Sequence, residues 1–335
     1  MVRLGIIGCG GMADAHLGGL AKMEDVQLVG FCDVLERKAE EKGRQYGAPH
    51  FTDPRRLIDA THPDAVYILL PPFAHGSAER AALEARVPFF TEKPVGNDLA
   101  LCREIAAEVE RTGLLTGVGY MNRYRAGVRR AREVFADDPP VVVYGGWLGG
   151  TPRAGGSGDG IGSWWVVRAK SGGQFVEQVS HTVDLVRHLC GEAAEVFMHA
   201  VPPRTFNQEV SEAYSIDDAA MISIRFRRGG VADIWSSCAV NAGGGVSLTV
   251  HGTRHTAFFT AWEHHLRLVT KGGPEETIPG EPDIFALEDR EFLAAVAGRD
   301  PGRVGTPYPD GVKTLALILA AEESARTGRA VTPEA

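Results

Sequence analysis

Apolar and polar positions change rhythm once along this chain, near residue 123. Up to that point short apolar runs at 4–7, 26–32, 65–70, 87–90 and 114–118 alternate with stretches of helical periodicity such as 74–85 and 99–111, the latter opened by Asn97 or Asp98 as a cap. Apolar runs separated by helices predict an α/β domain, a doubly wound parallel sheet covered on both faces. After Arg123 a helix over 125–135 leads into strand-like runs at 141–148, 195–201, 219–226, 231–238, 246–252 and 265–270. Glycine turns such as Arg228-Gly229-Gly230 and Asn241-Ala242-Gly243-Gly244-Gly245 leave no room for crossover helices. The second domain is therefore expected to be α+β, with an open antiparallel sheet. Two helices, over 284–297 and 310–327, close the sequence, and the expected division is 1–121 and 122–335. The glycine-rich stretch 145–162 reads as a mobile loop.

The first turn carries the chemistry. Leu4-Gly5-Ile6-Ile7 runs into Gly8-Cys9-Gly10-Gly11-Met12-Ala13, and a second apolar run ends at Asp33, twenty residues after Ala13. This is the pattern of a Rossmann dinucleotide-binding unit. Gly8 allows the tight turn, Gly10 lets backbone approach a pyrophosphate, and Ala13 lets helix and strand pack. The helix starting near Gly11 and Met12 offers its N–H groups to the phosphates. Asp33 suits ribose hydroxyls and repels a 2′-phosphate, so NAD is the expected cofactor; Arg37, one turn on, softens the preference and leaves NADP as the alternative. Ligands of such sheets bind beyond the carboxyl ends of the strands, which makes Pro71, His75 and Glu92-Lys93-Pro94 candidate cofactor contacts and Arg123, at the end of the next such segment, a candidate substrate contact.

Composition narrows the class. The 335 residues are 44% hydrophobic and 23% charged, ordinary for a globular protein, and a formal charge of −8 argues against nucleic acid or an anionic membrane as partner. With no long apolar run and a strand beginning at once after Met1 and Val2, no signal peptide is expected and the protein reads as cytoplasmic. Five scattered cysteines fit buried thiols rather than a disulfide framework.

The densest polar cluster follows the glycine-rich stretch: Trp164, Trp165, Arg168, then Gly172-Gly173, Glu177, His181, Asp184 and His188. From 175 to 190, Val179, Val183, Val186 and Cys190 recur at helical spacing, with Glu177, His181, Asp184 and His188 on the other face. That face is either solvated or a site for proton transfer. His181, Asp184 and Glu177 also have spacing suited to a metal, but a nicotinamide enzyme needs none if a lysine polarises the reacting oxygen, and Lys93 is the candidate.

These residues together resemble the glucose-fructose oxidoreductase, inositol dehydrogenase and rhizopine-catabolism family, Gfo/Idh/MocA, nearly end to end. The marks are Gly8–Ala13, Asp33, the run Ala65–Pro72 with His75, Glu92-Lys93-Pro94, Gly172-Gly173 with His181 and Asp184, and the tail 288–332. The resemblance implies an NAD(P)-dependent oxidoreductase acting on a sugar, cyclitol or related polyol. By position it makes Lys93 the contact of the reacting hydroxyl, His181 the general acid/base, and Asp184 the residue that binds or orients substrate. Two departures are Glu177, where many members have Asp, and Val179, where many have Gly. The longer Glu177 reshapes the pocket, which Trp165 and Arg168 line unless they only pack the long loop. Two other functions share these features: an enzyme that retains its cofactor through the cycle, and a catalytically dead sensor of nicotinamide or sugar state. In the strand Ala219–Phe226, Met221, Ser223 and Arg225 share a mixed face with Trp235 and Ser237 of the next strand; two copies packed on it predict a homodimer, doubled to a tetramer in line with the resemblance.

Overall fold

The computed structural model describes residues 1–152 and 163–334. By its internal packing the protein forms two compact units, Met1–Met121 with Asp283–Val312, and Asn122–Pro282 with the residues from Lys313 onward.

In the first unit β1 (Val2–Ile7), α1 (Gly11–Leu20), β2 (Val26–Cys32), α2 (Glu36–Tyr46), β3 (His50–Phe51), α3 (Pro54–Thr61), β4 (Ala65–Ile68), α4 (Ser77–Ala85), β5 (Phe89–Thr91), α5 (Leu99–Thr112) and β6 (Thr116–Val118) alternate as the apolar pattern requires. The six parallel strands lie in the order β3-β2-β1-β4-β5-β6, the doubly wound arrangement whose order reverses beside β1. Leu4, Ile6, Phe31, Tyr67 and Phe90 are buried in its core. The short α3 went unread in the sequence although its start was marked: Asp53 caps it by accepting the N–H groups of Arg55 and Arg56, with Pro54 at the first position.

The second unit runs through α6 (Ala126–Asp137), β7 (Val142–Leu148), α7 (Arg168–Ser171), α8 (Gln174–Glu177), α9 (Ser180–Cys190), β8 (Ala193–Val201), β9 (Ala219–Phe226), β10 (Val231–Ser237), β11 (Gly245–His251), β12 (His255–Thr260), β13 (His265–Thr270) and β14 (Glu276–Ile278). Its eight-stranded sheet has the order β14-β13-β12-β11-β7-β10-β9-β8. The expectation of an antiparallel sheet is corrected at one pair: β10 runs parallel to β7. The glycine turn 241–245 does not join neighbours either, because β7 lies between β10 and β11 and pairs with both. A strand added from an earlier segment is invisible to turn chemistry, which reports only on consecutive strands. The same pairing corrects the loop expected over 145–162. Gly145 and Gly146 are inside β7, where a Cβ would lie 2.3 Å from the Ser247 carbonyl oxygen and 2.0 Å from that of Trp235. Glycine here permits close strand approach. Thr151 is tied down by Asn241, and residues 153–162 lie outside the described residues.

One sheet face carries Ile222, Ile224, Phe226, Ile234, Leu248 and Phe259, all buried, while Met221, Tyr144, Val142 and Val231 on the other are exposed. Two further helices follow, α10 (Ile284–Gly298) and α11 (Tyr308–Thr327). The sequence pattern assigns both to the second domain. Instead α10 packs on α1 and β1, Phe292 and Leu293 joining the first unit's core, and the boundary between units falls inside α11.

Candidate active site

Gly8 closes β1 into its turn at φ +94°, where a Cβ would lie 2.4 Å from the Leu69 carbonyl oxygen, so a side chain is excluded. An added Cβ at Gly10 or Gly11 meets nothing within 4 Å, and the start of α1 has no side-chain cap. Open space therefore faces uncapped N–H groups. Met12 is exposed beside them and Ala13 is buried. At the end of β2 the Asp33 carboxylate accepts the Cys9 N–H at 2.9 Å through Oδ2 and the Leu35 N–H at 2.8 Å through Oδ1. Among the described residues these two backbone groups hold it in place, with lone pairs left for ribose hydroxyls. Glycine cradle, helix start and fixed carboxylate together fit a dinucleotide. Arg37 is exposed and pairs with Glu41 at 3.7 Å.

Beyond β4, Pro71 precedes a single 3₁₀ turn that ends at His75. Both ring nitrogens of His75 face inward, Nδ1 2.7 Å from Glu79 Oε1 and Nε2 3.1 Å from the Leu70 carbonyl oxygen. Burial works against the Glu79 charge, but His75 and nearby N–H groups hold the carboxyl below its usual range. His75 thus clasps the turn before α4.

Beyond β5, Glu92 is buried and Lys93 half-buried, with a cis peptide to Pro94. Glu92 Oε2 accepts the Lys93 N–H at 3.0 Å, and Oε1 lies 3.1 Å from His16 Nε2. The other nitrogen of His16 is 2.8 Å from Asp289 Oδ1. Burial opposes the charge on His16, yet Asp289 and Glu92 outweigh it and hold the ring protonated well above its ordinary range. A fully buried imidazolium thus joins the fingerprint helix, the Glu92-Lys93 turn and α10.

In the second unit the polar stripe is an interior feature. Nine of the eleven residues of α9 are buried, among them Asp184, and His181 and His188 are half-buried. The left-handed pair Gly172 (φ +79°) and Gly173 (φ +98°) breaks α7 from α8, and Glu177 ends α8 rather than continuing one helix from 175. Arg123 and Asp184, both read as substrate contacts, are brought to each other: the guanidinium donates to both carboxylate oxygens at 2.8 and 2.5 Å, and Thr314 donates to Asp184 Oδ1 at 2.9 Å. This bidentate buried pair fixes the middle of α9. Trp165 Nε1 donates to Glu177 Oε2 at 2.8 Å, so those two candidates also meet. Arg168 goes elsewhere, bridging Glu322 at 2.6 Å and Asp217 beside a cavity that Met198 and Leu319 help to line. The His181 ring centroid lies 6.0 Å from that of Trp262 at an interplanar angle of 85°.

The model of the Gfo/Idh/MocA oxidoreductase family with an NAD-binding Rossmann fold matches residues 2–120, and that of the family's C-terminal alpha/beta domain matches residues 149–332. The chain belongs to the Gfo/Idh/MocA oxidoreductases. Among curated members, scyllo-inositol 2-dehydrogenase (NAD(+)) of Bacillus subtilis is 27% identical over 98% of this chain and 96% of its own length. Myo-inositol 2-dehydrogenase of Thermotoga maritima is 24% identical over 99% of each. In fold the chain is similar to levoglucosan dehydrogenase, solved in complex with NADH and levoglucosan, with a TM-score of 0.86 at 20% identity over 99% of both chains. This Gfo/Idh/MocA member is thus an oxidoreductase whose cofactor is NAD.

Two features escaped sequence reasoning. His16 is three residues past the fingerprint, but its partner Asp289 is 273 residues away. Trp262 sits in a hairpin turn after β12, a strand the apolar pattern did not resolve. Among the described residues no group of three or more His, Cys, Asp and Glu side chains could hold a metal, and no helix is long and apolar enough to cross a membrane.

Proposed function

We propose that this oxidoreductase moves a hydride between NAD and a secondary hydroxyl of a sugar, cyclitol or related polyol. The observation that carries the reading is the match, over nearly the whole of both chains, to an NAD-dependent inositol dehydrogenase. NAD supplies the hydride acceptor. Gly8, Gly10, Gly11, Met12 and Ala13 bind its pyrophosphate, Asp33 its ribose, and the Pro71 and Glu92-Lys93 turns border the nicotinamide end. Lys93 stabilises the developing alkoxide and His181 takes the hydroxyl proton, the cation and base such a transfer requires. Trp165 and Glu177 shape the pocket. Asp184 positions α9, and hence His181, through its pair with Arg123.

The test is a screen of scyllo-inositol, myo-inositol, levoglucosan, methyl glucosides and uronates with NAD, read at the nicotinamide absorbance. NADH formed in proportion to a single added substrate is expected. Burst formation limited to one equivalent per enzyme supports a retained cofactor instead, and no reduction with any compound overturns the dehydrogenase.

The exposed sheet face supports a second proposal, assembly. Tyr144 stacks with Trp235 at 6.4 Å and contacts His251 at 5.5 Å, while Arg267 lies 4.1 Å over Phe258, giving an aromatic band across five neighbouring strands. We propose that two copies bury this band in a homodimer or a larger even assembly. A Trp235→Glu variant with unchanged mass by light scattering would remove the interface.

A further inference from the structure

The turn between β12 and β13 presents an exposed tryptophan with more structural support than a surface loop needs. Trp262 is 42% exposed, yet the residues around it are built in. Ala261 at φ +63° and His264 at φ +55° both take the left-handed conformation that non-glycine residues avoid. Arg125, 1% exposed, donates to the Trp262 carbonyl oxygen at 3.1 Å, to that of Glu281 at 2.9 Å and to Asn122 Oδ1 at 2.7 Å. Buried His264, which burial keeps neutral down to about 4, places Nδ1 2.9 Å from the same Trp262 carbonyl. Two strained residues and a buried guanidinium therefore converge on one backbone position. Strain of this kind persists where the surroundings over-determine it, and it concentrates at functional sites.

What the turn displays is a flat apolar wall at right angles to His181, ring centroids 6.0 Å apart at 85°. Two perpendicular rings make a corner, one wall able to exchange a proton and the other able only to stack. A saturated six-membered ring bound here would turn a hydroxyl toward the imidazole and lay a C–H face on the exposed part of the indole. An acyclic polyol has no such face. We propose that Trp262 is a substrate-binding and specificity-determining residue, the stacking wall that selects pyranose or cyclitol rings for the hydroxyl chemistry at His181. The proposal rests on the assignment of His181 above.

The experiment measures NAD-dependent oxidation of scyllo-inositol, myo-inositol, levoglucosan and acyclic D-glucitol by wild type, His181→Ala, Trp262→Ala, Trp262→Leu and Trp262→Phe. Each protein is checked for its melting temperature and NAD affinity. With the ring compound that wild type oxidises best, Trp262→Ala and Trp262→Leu are expected to raise KM about tenfold or more, with kcat within about threefold, while Trp262→Phe stays within about threefold in both. Leucine fills the space without a flat ring, so the comparison survives if alanine unsettles the turn. Unchanged KM in both variants beside an inactive His181→Ala enzyme overturns Trp262 alone. A fall in kcat at constant KM places its action on His181 and also overturns the assignment, as does preference for D-glucitol. Full turnover by His181→Ala, or none by wild type with any probe, overturns the parent reading and this one with it.

Discussion

The turn after β1 and the α8–α9 segment both carry candidate functional residues, and they are built by different means. The first is made of backbone. Gly8 donates its N–H to the Cys32 carbonyl, and Asp33 is held by two backbone N–H groups, so every partner lies within one βαβ unit. The second is made of side chains drawn from afar: Asp184 is reached by Arg123 across 61 residues and by Thr314 across 130. A cradle made of backbone accepts change at its exposed positions, whereas one made of buried charges fails when either partner is lost. Lys93 falls between these cases, on a local turn whose Glu92 is anchored by the distant pair His16 and Asp289.

The largest test of that contrast is catalytic. Lys93→Ala and His181→Ala are each expected to lower the rate of hydride transfer about 10²- to 10⁴-fold, with NAD affinity nearly unchanged because the glycine cradle is intact. Single-turnover rates and calorimetric NAD titration check both halves. A His181→Ala enzyme with near wild-type turnover at neutral pH sinks the assignment.

Next is the buried pair. Asp184→Ala leaves the Arg123 guanidinium without its bidentate partner in the interior, and is expected to cost about 3–5 kcal/mol of stability, read by denaturant unfolding. Asp184→Asn keeps the shape and is expected to cost less. A folded, fully stable Asp184→Ala protein with only a raised KM would return Asp184 to direct substrate contact.

This division also accounts for what could be read from the sequence. The alternation of strands and helices in the first unit, the glycine turn into α1, the place of Asp33 at the end of β2 and the helical spacing of Val183 and Val186 were legible because each is set by neighbours in sequence, through glycine conformation and apolar periodicity. The parallel pairing of β7 with β10 was not, since it depends on an earlier strand inserting between later ones. Nor was the partnering of Arg123 with Asp184 or of Arg168 with Glu322: periodicity puts a charge on a face without saying which distant charge will meet it. His75 was readable as a residue after a strand, but its inward clasp on Glu79 depends on side-chain packing.

A smaller test uses Glu322. Burial pushes its carboxyl up to about 7 from 4.5; Arg168 opposes the shift and Asp217 adds to it. The native state therefore binds this proton more tightly than the unfolded state. Its stabilising contribution is complete below about 4.5 and is lost as pH rises through about 7. Glu322→Gln is expected to flatten that decline, so the stability difference, variant minus wild type, grows by about 3 kcal/mol as pH rises from below 4.5 to above 7 and then levels. A difference independent of pH across the window would put Glu322 back in the ordinary carboxylate range.

The smallest expected effect probes the backbone-built side. Both Asp33 oxygens already accept a backbone N–H, which fixes the carboxylate at the end of β2; in the proposed site it would face the 2′ position of the ribose. Repulsion between the carboxylate and the 2′-phosphate of NADP is partly offset by Arg37, which is exposed and shared with Glu41. NAD is therefore expected to bind about tenfold more tightly than NADP, a difference of about 1.4 kcal/mol. Asp33→Ser removes the charge but keeps a hydroxyl for the ribose, so it is expected to bring the two affinities together while the fold stays intact, the cradle's glycines doing the rest. Calorimetric titration of both cofactors against both proteins decides it. Equal or tighter NADP binding by wild type would strip Asp33 of its role, and loss of folding in Asp33→Ser would show that the backbone-built turn depends on a side chain as strictly as α9 does.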